Sequence, residues 1–139
     1  MGSFNQFASL LREIARHPTQ AEQKQARHAG LGPFVEAARS HLAANGSNKS
    51  GQLSGALGIA EKTKDTSAAG PIKGKKHWSV GVLVELGTAP HYQPNRNGGQ
   101  WHPGARPSPF MRPAYEETKD EIVEEAARSL AQSIFGRSR

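Results

Sequence analysis

Cysteine is absent from all 139 residues, which excludes a disulfide framework, a thiolate metal site and a thiol nucleophile. Such usage fits a reducing compartment. Aromatic residues make up 6% and hydrophobic residues 35% of the chain, so any core is modest in size. No apolar run approaches the roughly 18 residues a bilayer span needs. The N-terminus lacks the basic start and apolar core of a signal peptide, and a soluble protein made in the cytosol is expected. Phosphate-loop, dinucleotide and G-x-S-x-G motifs are missing. Carboxylates cluster only on the outer face of the last helical pattern, where no partner adapts them to acid–base work. The expectation is a protein that is not an enzyme and needs no cofactor.

What the chain does have is charge, glycine and proline. Its net charge is +6, with 15 Gly and 9 Pro. Residues 1–115 hold 14 Lys and Arg against 6 acids, whereas residues 116–139 hold 4 against 6. A basic body with an acidic end suits a polyanion or a partner of opposite charge.

A single domain over residues 1–139 is predicted. Residues 1–46 read as helical. Phe4, Phe7, Leu11 and Ile14 recur at helical spacing, with Leu10 widening the stripe, and His17-Pro18 ends that helix. Thr19 and Glu22 have capping-box spacing. Gly30-Leu31-Gly32-Pro33 interrupts the following pattern, which Phe34, Ala37, Ala38, His41 and Leu42 then resume up to Asn45-Gly46. One kinked helix and two helices both remain open over 20–44. Residues 52–88 read as strands. Leu53, Gly55, Leu57 and Ile59 alternate, 61–76 reads as a basic hairpin loop, and Trp78, Val80, Val82, Val84 and Leu86 line one face of the clearest strand. Residues 89–109 read as a projecting loop or hairpin, with Asn95–Gly99 as its turn. A helix over 113–135 follows, opened by Pro113 in its first turn. Tyr115, Ile122, Val123, Ala126, Leu130 and Ile134 form its inward stripe, and Glu116, Glu117, Asp120, Glu121, Glu124 and Glu125 its acidic face. The fold class expected is α+β, a small antiparallel sheet packed against N-terminal helices and a long C-terminal helix.

The candidate functional residues surround the 89–109 excursion. His77, His91 and His102 lack the spacing of a metal motif, and no acid lies between the last two, so no metal site is assigned. Lys73, Lys75 and Lys76, beside His77 and Trp78, join Arg96 and Arg106 as candidates for sequence-independent contact with phosphates. Trp78 itself is expected under the sheet. His91, Tyr92, Trp101 and His102 are expected opposite each other on a hairpin arm whose Tyr and Trp suit a subunit or partner interface. Phe110 is grouped with that interface and is also expected to pack back onto the core. Glu85 is expected to brace the turn at Gly87-Thr88, or to pair with Arg112, and so to hold the loop's two ends together.

Val84-Glu85-Leu86-Gly87-Thr88, then His102-Pro103-Gly104, then Pro109-Phe110-Met111-Arg112-Pro113-Ala114 resemble, in that order, the neck and tail-completion family of tailed bacteriophages. Ser50-Gly51-Gln52-Leu53 is similar to that family's entry to its first strand. The resemblance covers residues 34–135, with its specific motifs between 84 and 114. It implies a small virion protein made in the host cytoplasm and built into a homo-oligomeric ring at the head–tail junction or the head-proximal end of the tail. Neighbouring head-completion and tail-tube or tail-terminator proteins would be its partners, phage DNA would pass through the lumen, and no membrane would be involved. The alternative is a nucleic-acid-binding protein without sequence preference that acts outside a particle.

Overall fold

A small or apolar residue recurs at every fourth position across Ala26, Gly30, Phe34, Ala38 and Leu42, and the fold grows from that row. The computed structural model describes residues 2–16 and 18–136. Along those residues the order is α1 (Gly2–Ala15), α2 (Gln20–Ala44), α3 (Gln52–Ala56), β1 (Leu57–Thr63), β2 (Thr66–Pro71), α4 (Trp78–Leu86), β3 (His91–Gln93), β4 (Gln100–His102) and α5 (Met111–Phe135). The class is α+β.

Rows of residues four apart are the ridges by which helices interlock, and the row on α2 is buried along its length, chiefly against α5. Gly30 permits the close approach. A Cβ there would lie 2.7 Å from the carbonyl oxygen of Ile122 and 3.0 Å from Cβ of Ala126. The same packing explains why α2 is one continuous helix through Pro33. An interior proline costs about 3 kcal/mol, an amount the long α2–α5 contact offsets. The helix starts on the expected capping box, with Thr19 and Glu22 each satisfying the other's backbone amide. Arg16 pairs with Glu22 at 3.1 Å and ties the end of α1 to that cap.

β1 and β2 form an antiparallel hairpin running from the Leu57–Pro71 pair to the Thr63–Thr66 pair. It is fixed to α2 by a polar network on Glu61. Ser67 donates to this carboxylate at 2.6 Å, His28 lies 2.6 Å away, and Arg27 donates at 3.0 Å. Together, with Ser67 contributing most, they lower the Glu61 pKa from 4.5 to about 2. Phe34, Val35, Ala38 and Leu42 of α2 meet Leu53, Leu57, Phe110 and Ala114 in the core.

Several expectations over 52–88 are corrected. Leu53 and Gly55 lie in the short helix α3, so Ser50-Gly51-Gln52-Leu53 opens a helix and not a strand. The 61–76 stretch is more than a loop, because β2 lies within it. Trp78–Leu86 is the helix α4. Nearly every residue of WSVGVLVEL is apolar, and such a run satisfies periods of 2 and 3.6 alike. Tertiary contacts chose the helix, and Gly87 ends it. Trp78, in its first turn, is half-buried. On α5, Tyr115 and Val123 are exposed, Val123 at 67%, which removes both from the inward stripe; Ile122 packs against the core as expected. Phe7 and Leu11 of α1 are exposed. The side chains of Phe4, Leu10 and Ile14, and the whole of His17, lie outside what is described.

Candidate functional site

The site begins with one carboxylate. Every helix leaves the first four backbone N–H groups without intrahelical acceptors. At the start of α5 these belong to Phe110, Met111, Arg112 and position 113. Glu85, on the last turn of α4, accepts from Phe110 at 2.7 Å and Met111 at 2.8 Å through Oε2, and from Arg112 at 3.0 Å through Oε1. The fourth position is Pro113, which has no N–H to satisfy. One side chain, 25 residues from the nearest of its partners, thus completes the helix start, and a negative charge at that end also suits the helix dipole. Glu85 does hold the loop's two ends together; its bond to Arg112 is to the backbone.

The seam continues outward from this clasp. Ser108 N–H donates to the Val84 carbonyl at 2.8 Å, and Thr88 and Ala105 exchange backbone bonds at 2.9 and 3.0 Å. Gly87 turns the chain at φ 73°, where a Cβ would meet the Ala105 carbonyl oxygen at 2.6 Å and Pro107 at 2.8 Å. Phe110, anchored beside the clasp, is 0% exposed. It therefore contributes nothing to a surface and belongs only to the core.

Beyond the seam stands the arm. His91 pairs with His102, Tyr92 with Trp101 and Gln93 with Gln100. The turn is closed by Gly99 N–H to the Arg96 carbonyl at 3.0 Å, with Asn97 and Gly98 both at positive φ, as a type I′ turn requires. The two imidazoles stack with centroids 5.0 Å apart. His91 Nδ1 lies 2.9 Å from the Ala89 carbonyl, so it carries the proton, and Nε2 accepts from the Gln93 amide at 3.1 Å. His102 Nδ1 accepts from Gly104 N–H at 3.0 Å. Each ring thus engages the backbone at the base of the arm through Nδ1. Alternation along the strands puts Tyr92 and Trp101 on the opposite face, where Trp101 is 65% exposed.

Under the histidine face runs a groove of about 410 Å³ lined by Leu83, Val84, His91, Gln93, His102 and Arg106, among others. Its other wall belongs to α4, whose Gly81 and Val84 face inward while Val80, Leu83 and Leu86 are exposed, Leu86 at 70%. Reading α4 as a strand hid this row. The signal available was Leu83, which breaks the alternation and falls at i+3 between Val80 and Leu86.

The basic candidates separate into three places. Lys73, Lys75 and Lys76 share the exposed turn before α4, Arg96 sits at the arm's tip, and Arg106 lines the groove. None of these side chains makes a hydrogen bond or ion pair among the described residues. His77 holds a left-handed backbone conformation at the start of α4, apart from the stacked pair on the arm. Among the described residues no group of three or more His, Asp or Glu is placed to hold a metal ion, and no helix is long and apolar enough to cross a membrane. The arrangement offers contact surfaces.

No protein-family model, curated protein or solved structure matches the chain.

Proposed function

We propose that this chain is a structural subunit of a tailed-phage particle, assembled as a ring at the neck or tail-completion position and traversed by DNA. The observation that carries the reading is the Glu85 clasp. It joins in space two of the stretches that resemble the neck and tail-completion family, Val84–Thr88 and Pro109–Ala114, and His102-Pro103-Gly104 lies at the base of the arm they hold. Support also comes from what the clasp presents. A two-stranded arm is marginal alone in water, and an exposed Trp, Tyr and apolar helix row suit burial between subunits. Lys73, Lys75, Lys76, Arg96 and Arg106, none of them paired among the described residues, include the proposed DNA-facing residues. Their contacts would be weak, sequence-independent and salt-sensitive, as a conduit for moving DNA needs. The protein acts without catalysis in this reading.

The test is to delete Tyr92 to Trp101, close the gap with a short turn, and measure both fold and assembly. The shortened chain should keep its circular dichroism and melting profile but fail to enter particles with its neighbouring tail proteins. Normal assembly of that variant would refute the arm's role. A wild-type chain that stays monomeric with those neighbours, yet retards DNA at low salt, would instead favour the free-standing nucleic-acid binder.

A further inference from the structure

We infer that the uncovered face of α4, with the groove beside it, receives the outward face of α5 from a second copy, so that copies associate head to tail. The inference rests on the assembly reading above and names its contact. Charge selects the occupant. Residues 72–113 carry six Lys and Arg against one acid, and that acid, Glu85, is already bound by three amides. Residues 114–136 carry six acids against two basic residues. Docking either surface onto its own copy would set like charge against like charge, which costs association energy. Each instead complements the other.

Apolar chemistry agrees. Among the described residues the α4 row of Val80, Leu83 and Leu86 is exposed, at 40%, 50% and 70%. α5 turns Ala114 and Thr118 inward and leaves Tyr115 and Val123 exposed, with Lys119 between them on the same row paired to Glu116, and Asp120 and Glu124 beside Val123. Those two side chains supply apolar area for the α4 row, and the acids around them meet Arg106 at the groove. Where the two surfaces of one copy engage two different neighbours, the product is an open chain or a closed ring.

Two variants separate the halves of the contact. Leu83→Asp with Leu86→Asp spoils the α4 face at exposed positions. Glu116→Lys, Asp120→Lys and Glu124→Lys together reverse the α5 face. Sedimentation and light scattering of purified protein at low salt should show wild type in species larger than a dimer, weakening as salt rises. Each variant alone should be a folded monomer, its self-association weakened at least about 30-fold. Mixed, they retain one good α4 face and one good α5 face between them, and should form a one-to-one pair that grows no further. Unimpaired assembly of either variant would overturn the contact while leaving the ring reading to its own test in particles. Failure of the mixture to pair, or a wild type that stays monomeric, would also overturn it; circular dichroism separates misfolding, and Leu86→Ser with Glu124→Gln are milder replacements that should shift the same equilibria in the same direction.

Discussion

Replacing Glu85 by Gln preserves the length of the side chain and removes its charge. In the native clasp Oε2 accepts two backbone amides and Oε1 a third. A Gln oxygen can keep the first two as neutral bonds, each weaker by about 0.5 kcal/mol than a bond to a charged acceptor. Its amide nitrogen then faces Arg112 N–H, donor against donor, and this bond at the exposed side of the clasp is lost at about 1–1.5 kcal/mol. Loss of a negative charge at the start of a 25-residue helix removes about 0.5 kcal/mol more. The expected total is about 3 kcal/mol, or a fall of roughly 10 °C in Tm for a domain of this size. Urea denaturation should show a lower midpoint with unchanged slope, and hydrogen exchange should accelerate first at Arg112. Glu85→Asp, too short to span the same three amides, should lose a similar amount. A shift below about 0.5 kcal/mol, the range of ordinary surface substitutions, would refute the clasp as the anchor of the arm.

Phe110→Ala empties a fully buried site and should cost about 3–5 kcal/mol in the same denaturation assay; a near-neutral result would contradict its place in the core. Gly30→Ala forces a Cβ against the Ile122 carbonyl oxygen and should destabilise by about 1–3 kcal/mol as α2 and α5 move apart, whereas Gly32→Ala, which meets nothing within 4 Å, should be neutral or stabilising. Glu61 titrates at about 2 in the folded chain against 4.5 as its ordinary value. Its contribution is therefore present above pH 4.5 and lost progressively as pH falls toward 2. Unfolding midpoints of Glu61→Gln should depend less on pH than wild type across that window; parallel profiles would show the network to be screened by solvent. The amides of 90–103 should exchange fast in the monomer and be protected in the assembled particle, and equal rates in both would show that nothing covers the arm.

Local rules made much of this chain legible. The capping box at Thr19 and Glu22, the Asn-Gly turn of the arm, the pairing of His91 with His102 and Tyr92 with Trp101, and the proline in the first turn of α5 all depend on residues close in sequence. Their geometry is set by φ restrictions and short hydrogen-bonded loops. Glu85 was legible in part, as an acid at an element's end near a turn, because something must satisfy backbone amides there. What tertiary structure decided lies where local signals cancel. Residues 78–86 are apolar at almost every position, so neither period wins locally, and packing of Gly81 beside Pro71 and Leu53 selected a helix. Pro33 signals a break, yet the buried row from Ala26 to Leu42 keeps α2 whole. Tyr115 and Val123 fit a helical stripe, but the side of α5 that turns inward is fixed by which residues let α2 come close. Gly30 is the reason that side carries Ala126: a helix can approach another to the depth of a missing side chain only where the facing residues are small.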